Sequence, residues 1–315
     1  MPARAMRRVL LGLLVGPTLP LGAARAAQAP TDALAAAAPA ETGAPAFVDS
    51  VRRVTDTLAL LRGLDAVGRE PGGTSAARTW RESRQGWLLL RLGELGEGRA
   101  RLDEAIRHFD EAIYRDKTQA DPWVGLAEAK LLLDERHAVV KESMHQPAGT
   151  YYEDAALQHL LTALRLQPTY PAAVALLARI LVGFDAPPLP SELVEGLRLA
   201  AAHAENGPLP PLLLGRWLRK PQRSLAPPAL DSAAAAFHRY AALGGDRGLA
   251  ELELARVAYK RGRPDSAVAL YLAGAAHGDT LARAAFRRDL TWIADSAKLE
   301  AFDRAPADSV GAWVR

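Results

Sequence analysis

No cysteine occurs among the 315 residues. Disulfides, thiolate zinc sites and a lipid-bearing lipobox cysteine are therefore excluded. Familiar catalytic signatures are missing too: there is no glycine-rich phosphate loop, no Gly-x-Ser-x-Gly elbow and no Cys–His pair. The apolar–polar alternation of a half-buried strand is absent. Beyond residue 26 no apolar run reaches membrane-spanning length. Neither sign of charge dominates, with 39 Lys and Arg against 36 Asp and Glu. Four of the arginines, Arg4, Arg7, Arg8 and Arg25, lie in residues 1–26, which hold no acid. Without that segment the formal charge moves from +3 to −1. Nothing in that balance favours a nucleic-acid partner.

What is present begins with the three parts of a secretory signal. Arg4, Arg7 and Arg8 form a basic region, and Val9 to Val15 form an apolar core that extends through Pro17 and Pro20 to Leu21. Ala24-Arg25-Ala26 supplies the small-residue cleavage site. Cleavage after Ala26 is expected, giving a periplasmic or secreted chain with no transmembrane span. Residues 27–45 are rich in Ala, Pro and Thr and poor in large apolar residues. Such a stretch buries too little surface to offset its ordering entropy and reads as a disordered tether.

From there on the periodicity is helical. Val51, Val54, Leu58, Leu61 and Leu64 recur at three- and four-residue spacing, which predicts one helix over 47–67. Glu70-Pro71-Gly72-Gly73 ends it. Residues 46–82 thus read as an N-terminal helix and loop, with Trp80 an exposed aromatic in the loop. A second helix starts near Ser83, carries Trp87, Leu88, Leu89, Leu92 and Leu95, and closes at Gly96 and Gly98. Its partner runs from Leu102 to Arg115, with Ala105, Ile106, Phe109, Ala112 and Ile113 inward. Further starts are marked by Asp121-Pro122, Pro171, Ser191 and Asp231 or Ser232. Leu209–Arg219, Gly248–Lys260, Pro264–Ala275 and Thr280–Asp289 complete the set, with a proline-broken loop from Pro221 to Pro228. The expectation is an all-α array over 83–288, irregular in its middle, followed by a helical extension over 289–315.

Within the array a pattern recurs. Twelve residues after Gly93 of Leu92-Gly93 comes Ala105, followed by Phe109 and Ala112. Leu254-Ala255 is followed at the same offsets by Ala267, Tyr271 and Gly274. Trp123, Leu126 and Ala127 repeat the front half, and Ala156, Leu160, Ala163 and Pro168 the back half. Small residues let two helices approach, and the larger apolar ones fill the gap. This pattern resembles the tetratricopeptide repeat, a helix–turn–helix unit of about 34 residues. The resemblance implies a right-handed superhelix with a concave groove lined by the first helix of each pair. It also implies a protein or peptide partner. One subset of the family grips a C-terminal carboxylate with Lys and Asn on that groove. The matching first helices here carry Glu94 and Glu97, then Glu128, which is the wrong sign for that use. The last well-matched unit carries Arg256, Lys260 and Arg263. A partner is expected to meet the acidic cluster at one end and the basic cluster at the other. A second, weaker resemblance lies in 289–315, which begin Asp-Leu-Thr-Trp-Ile-Ala-Asp-Ser-Ala-Lys-Leu-Glu-Ala-Phe and end Val-Gly-Ala-Trp-Val-Arg. These are similar to the opening of the bacterial GWxTD domain, without its namesake string. Trp313 in this stretch is a further candidate for partner contact.

The second repeat is interrupted. Ala127 and Ala156 are 29 residues apart where the other pairs show 12, so 17 extra residues fall around 133–152. With its flanks this segment gathers Asp134, Glu135, His137, Glu142, His145, Tyr151, Tyr152, Glu153 and Asp154. Imidazole and carboxylate together suit zinc or iron, but the two histidines lack the His-x-x-x-His spacing of a zincin. The segment therefore reads as a solvated loop, with no metal or cofactor expected. His108, His159 and His203 read as surface or interface groups. The sequence thus points to an exported scaffold that docks a polypeptide in its groove, in envelope assembly or maintenance, and not to an enzyme. Two alternatives stand beside it. One is an envelope enzyme or accessory domain with a site in 133–152. The other is an oligomerisation module joined through the C-terminal helix.

Overall fold

The computed structural model describes residues 44–71, 73–143, 151–183, 190–220, 229–277, 279–306 and 309–314. The expected leader, nearly all of the expected tether, and residues 144–150 and 221–228 lie outside the described residues. Among those described the fold is all-α, with fifteen α-helices and no strand.

α1 spans Ala44–Arg53 and α2 Thr57–Gly68. The single helix predicted over 47–67 is broken because Asp56 starts α2 afresh, its carboxylate accepting the Leu58 N–H at 2.9 Å. α3 spans Ser75–Leu92, beginning before the predicted Ser83. Thr74 is the reason, since its hydroxyl accepts the Ala77 N–H at 3.2 Å. Trp80 therefore sits on a helix and not in a loop. It is buried edge-on to Phe47, with ring centroids 5.7 Å apart, which corrects the expectation of an exposed aromatic. α3 ends in a wide turn, Gly93–Glu97, where Gly96 takes φ 125°, a region open to glycine and strained for other residues.

α4 (Arg99–Arg115), α5 (Ala120–Ser143), α6 (Tyr151–Leu166), α7 (Pro171–Gly183) and α8 (Ser191–Ala202) follow. The extra residues of the second repeat begin as a continuation of α5, which runs to Ser143, and not as a loop from Leu133. The side chains of Glu135, His137, Glu142, His145, Tyr151, Tyr152, Glu153 and Asp154 lie outside the described residues. Next come α9 (Leu209–Arg219), α10 (Leu230–Ala242), α11 (Arg247–Lys260) and α12 (Pro264–Ala276). The chain continues with α13 (Thr280–Leu290), α14 (Ser296–Arg304) and α15 (Val310–Val314).

Neighbours in sequence pair most extensively as α3–α4, α5–α6, α9–α10 and α11–α12. α7 and α8 meet far less, and α8 leans instead on α6 and α9, so the middle of the array is irregular as expected. The first helices form one row, α3 against α5, then α7, α9, α11 and α13. The close approach within this row and its partners rests on glycine. A Cβ on Gly86 would lie 2.6 Å from the Phe109 ring, and one on Gly125 would strike the same ring. Gly215 stands to Phe237 as Gly86 stands to Phe109, again at 2.6 Å. Two apolar clusters result, one running from Phe47 to Ala200 and the other from Leu212 to Val310, with Leu214 packed against both.

Candidate functional site

Every first helix from α3 to α11 carries, within it or running out of its last residue, the same three-residue string, Leu, a small residue, then a charge. The strings are Leu92-Gly93-Glu94, Leu126-Ala127-Glu128, Leu177-Ala178-Arg179, Leu214-Gly215-Arg216 and Leu254-Ala255-Arg256. Because these helices stand side by side, most of the charges reach a neighbouring helix. Glu128 on α5 accepts from Arg179 Nη1 on α7 at 2.8 Å. Arg216 on α9 donates through Nε to Glu253 on α11 at 2.7 Å. Arg256 on α11 grips both oxygens of Asp289 on α13, at 2.6 and 2.7 Å. Glu94 turns back three residues to Arg91, at 2.8 Å.

In the amino-terminal half this row is covered. α1 packs on α3 and α7 and reaches α5 through Arg52, burying Phe47, Val48 and Val51 at positions one and four apart on its inner face. Arg52 follows that stripe. Its Nη2 lies 2.6 Å from Glu128, and its guanidinium sits 5.4 Å from the centroid of the Trp87 ring. The sequence places Glu128 in an open groove, whereas the structure places it under α1, 2% exposed, with both oxygens engaged. Deeper in the same half Asp121 is wholly enclosed. It accepts from Ser83, from Tyr170 and from Trp87 Nε1, the last at 3.0 Å. Burial pushes its carboxyl up, against the pull of those three hydrogen bonds.

The carboxy-terminal half centres on Glu253, which is 0% exposed. Arg216, Arg219 and Arg256 surround it at 2.7, 3.1 and 3.0 Å. Burial alone would raise this carboxyl, but the three guanidiniums outweigh it and hold the group below the usual carboxylate range. Lys260 lies beyond them, exposed, its ammonium donating to the Arg219 carbonyl at 2.9 Å and so closing the end of α9. Its pKa is depressed, first by partial burial and then by the Arg219 charge.

Beside this cluster an open cleft of about 660 Å³ lies along α11 and α12. Tyr259, Pro264, Val268, Leu272 and Val314 form its apolar walls, and Arg219, Arg256 and Lys260 its cationic edge. Tyr271 also lines it and stays a neutral phenol, pushed up to about 12 by burial and then by the Asp289 charge. The expected groove is lined by first helices alone, whereas here both helices of the last well-matched pair contribute.

The structure therefore brings Arg256 and Lys260 together at one cleft. Arg263 is exposed at the head of α12, outside the cleft lining. Trp313 is half-buried and meets Phe302 edge-on, with centroids 5.0 Å apart, facing its own chain. The side chain of Glu97 lies outside the described residues. His108 pairs with Glu82 at 2.8 Å, and His159 sits against Trp123 with centroids 5.5 Å apart. His203 lies 3.9 Å from Glu205. Sequence reasoning missed Arg52, Arg179, Arg216, Arg219 and Glu253. The recurring Leu-small-charge string was the signal that could have found Arg179 and Arg216. Among the described residues no group of three His, Asp or Glu is placed to hold a metal ion, and no helix is long and apolar enough to cross a membrane. Comparison with protein families and with curated proteins finds no match to this chain.

Proposed function

We propose that this chain is an exported scaffold of the tetratricopeptide kind that docks a polypeptide segment, in assembly or maintenance of the cell envelope. The observation that supports the reading most is α1. The row of first helices already holds a short amphipathic helix, by three apolar anchors and one ion pair, in the manner of helix-in-groove recognition. That segment belongs to the chain itself and fills the amino-terminal groove. Docking of another chain then falls to the carboxy-terminal cleft, where Tyr259 and Val268 stand exposed beside Lys260. Exposed apolar groups rimmed by charge are the usual mark of such a surface. Glu94 and Glu128 leave the proposed contact region, since their carboxylates are occupied within the chain.

A photo-crosslinking residue at Tyr259 tests this in cells, with one at Tyr114 as control. Tyr114 is 80% exposed on α4, far along the chain from the cleft. A discrete polypeptide adduct from position 259 alone is expected. No adduct, or the same adducts from both positions, would remove the reading. Export is tested separately, since the envelope-fraction protein should begin at Ala27. An intact Met1 there contradicts cleavage.

A further inference from the structure

We infer that the cleft along α11 and α12 takes an acidic amphipathic helix of a partner polypeptide. This rests on the docking reading above and adds the chemistry of the docked segment. The charge count comes first. Among the described residues, Arg216, Arg219, Arg256 and Lys260 face Glu253 and Asp289 alone, so four cations meet two carboxylates beside the cleft. Both carboxylates are already engaged by the arginines. Lys260 is met by a carbonyl and, among the described residues, by no carboxylate. An anionic partner is the one that relieves this crowding.

The walls then select the secondary structure. They are mainly the flanks of α11 and α12, with Val314 of α15 at one side, and the backbone groups of α11 and α12 are bonded within those helices. An extended segment lying there would leave its own N–H and C=O groups unpaired against apolar side chains. A helix satisfies its backbone internally and needs only side-chain anchors, and Tyr259 at 73% and Val268 at 58% exposure offer apolar surface for them. The amino-terminal half shows the same arrangement with the sign reversed. There the charge of the Leu-small-charge string is Glu128, and the helix that lies on it brings Arg52. On α11 the corresponding charge is Arg256, flanked one turn on by Lys260. The segment that fits brings Glu or Asp.

The test uses the purified mature chain and three labelled peptides of about four turns. One is built of Ala, Leu and Glu with leucines at i, i+3, i+4 and i+7. The second has Lys for every Glu. The third keeps the composition of the first but spaces its leucines every second residue. The acidic helix should bind at a single site, and the other two about tenfold more weakly or worse. Val268→Asp should weaken the acidic helix by more than about tenfold, by placing a carboxylate in the apolar wall. Lys260→Glu should weaken it about three- to tenfold, the range of one or two exposed ion pairs. Raising the ionic strength from about 0.01 to about 0.15 M, which shortens the Debye length from about 30 to about 8 Å, should weaken it further. Both substitutions are at exposed positions, and circular dichroism confirms that the variants are folded. Equal binding of the acidic and basic helices, indifference to Val268→Asp, or no binding of any peptide overturns the inference. The crosslink from position 259 is read independently. A polypeptide adduct there with no preference for the acidic helix sinks this inference and leaves the docking reading standing.

Discussion

The two ends of the first-helix row solve one problem differently. At the amino-terminal end the charged position of the row, Glu128, is answered by Arg179 of the next helix and by Arg52 of α1, so charge and apolar surface are both closed off by the chain itself. At the carboxy-terminal end Arg256 is answered by Asp289 and Glu253, but three further cations crowd the site and, among the described residues, no helix lies across it. α13 ends at Leu290; α14 packs back on α13, burying Phe302, and α15 touches α12, so neither extends the row. The apolar flank of the last pair is left open as a result. A helical array buries each unit against the next, so its terminal unit either carries a polar face or meets something else. The amino-terminal end follows a third course, in which an added helix is laid over the row.

The largest expected effects test whether both halves are packed alike beneath this difference. Phe109 and Phe237 are each fully buried, and each ring lies against a glycine of the facing helix. Phe109→Ala and Phe237→Ala should each cost about 3–5 kcal/mol. Tyr271 occupies the same repeat position as Phe109 but is only half-buried, edge-on to Phe286 at 4.7 Å. Tyr271→Ala should therefore cost clearly less. Denaturant midpoints for the three variants decide it. Equal losses for Phe109 and Tyr271 would mean that the cleft side of α12 is as closed as the amino-terminal core.

Next in size is the loss of the two central carboxylates. Glu253→Gln leaves Arg216, Arg219 and Arg256 gathered around a neutral group, and breaking such a buried centre typically costs about 3–5 kcal/mol. Glu128→Gln should cost less. Its partners Arg52 and Arg179 are 29% and 36% exposed and can turn to water. A larger loss at Glu128 would reverse the comparison and make the covered end the one under greater electrostatic load.

How much of this was legible beforehand follows from which interactions are local. Helix content and the Ala105–Phe109–Ala112 and Ala267–Tyr271–Gly274 strings could be read because each is a periodicity within one segment. The break at Asp56 and the early start of α3 at Ser75 are capping events, in which one side chain decides against a continuing apolar pattern. The site was legible only in part. Arg256 and Lys260 could be placed from repeat register, and the cleft does contain them. Glu253 could not be singled out, because Leu252-Glu253-Leu254 looks like an ordinary helix turn. Its burial depends on Arg216 and Arg219, which lie 37 and 34 positions earlier in the chain. The filling of the amino-terminal groove by α1 was equally hidden, since it pairs Arg52 with a residue 76 positions away.

A moderate effect separates the halves by pH. His159, in the amino-terminal half, has its pKa lowered to about 4, by burial and then by the Lys130 ammonium, which lies 2.9 Å from Nε2. An unfolded histidine titrates near about 6.5. The folded state therefore refuses a proton that the unfolded state accepts, and stability falls as pH drops from about 6.5 towards 4. Glu253 is also depressed. Its contribution is fully present above the ordinary carboxylate value, near about 4.3, and is lost only as pH falls below that. Asp121, pushed up by burial, works in the opposite sense and gains as acid neutralises it. Urea midpoints for the wild type should thus drop between pH 7 and 5, while those of His159→Phe stay level there and drop only in stronger acid. A variant that tracks the wild type throughout would show that His159 is not the group responsible.

The smallest expected effect carries the most weight for the comparison. Val51 on α1 and Val268 on α12 are both valines on the apolar face of a short helix, one 1% exposed and the other 58%. If the carboxy-terminal flank is open, Val268→Asp leaves the denaturant midpoint within about 0.5 kcal/mol of wild type, as exposed substitutions usually do. Trp292→Ala, at a residue 87% exposed beyond the end of α13, should behave the same way. Val51→Asp places an unpaired carboxylate among Phe47, Trp87 and their neighbours and should be poorly tolerated. A marked loss from Val268→Asp would show that something in the chain covers the cleft in solution as α1 covers Glu128. Both ends would then be closed by the protein itself, and the surplus of cations around Glu253 would have to be answered from within the chain. An unchanged midpoint leaves that flank free.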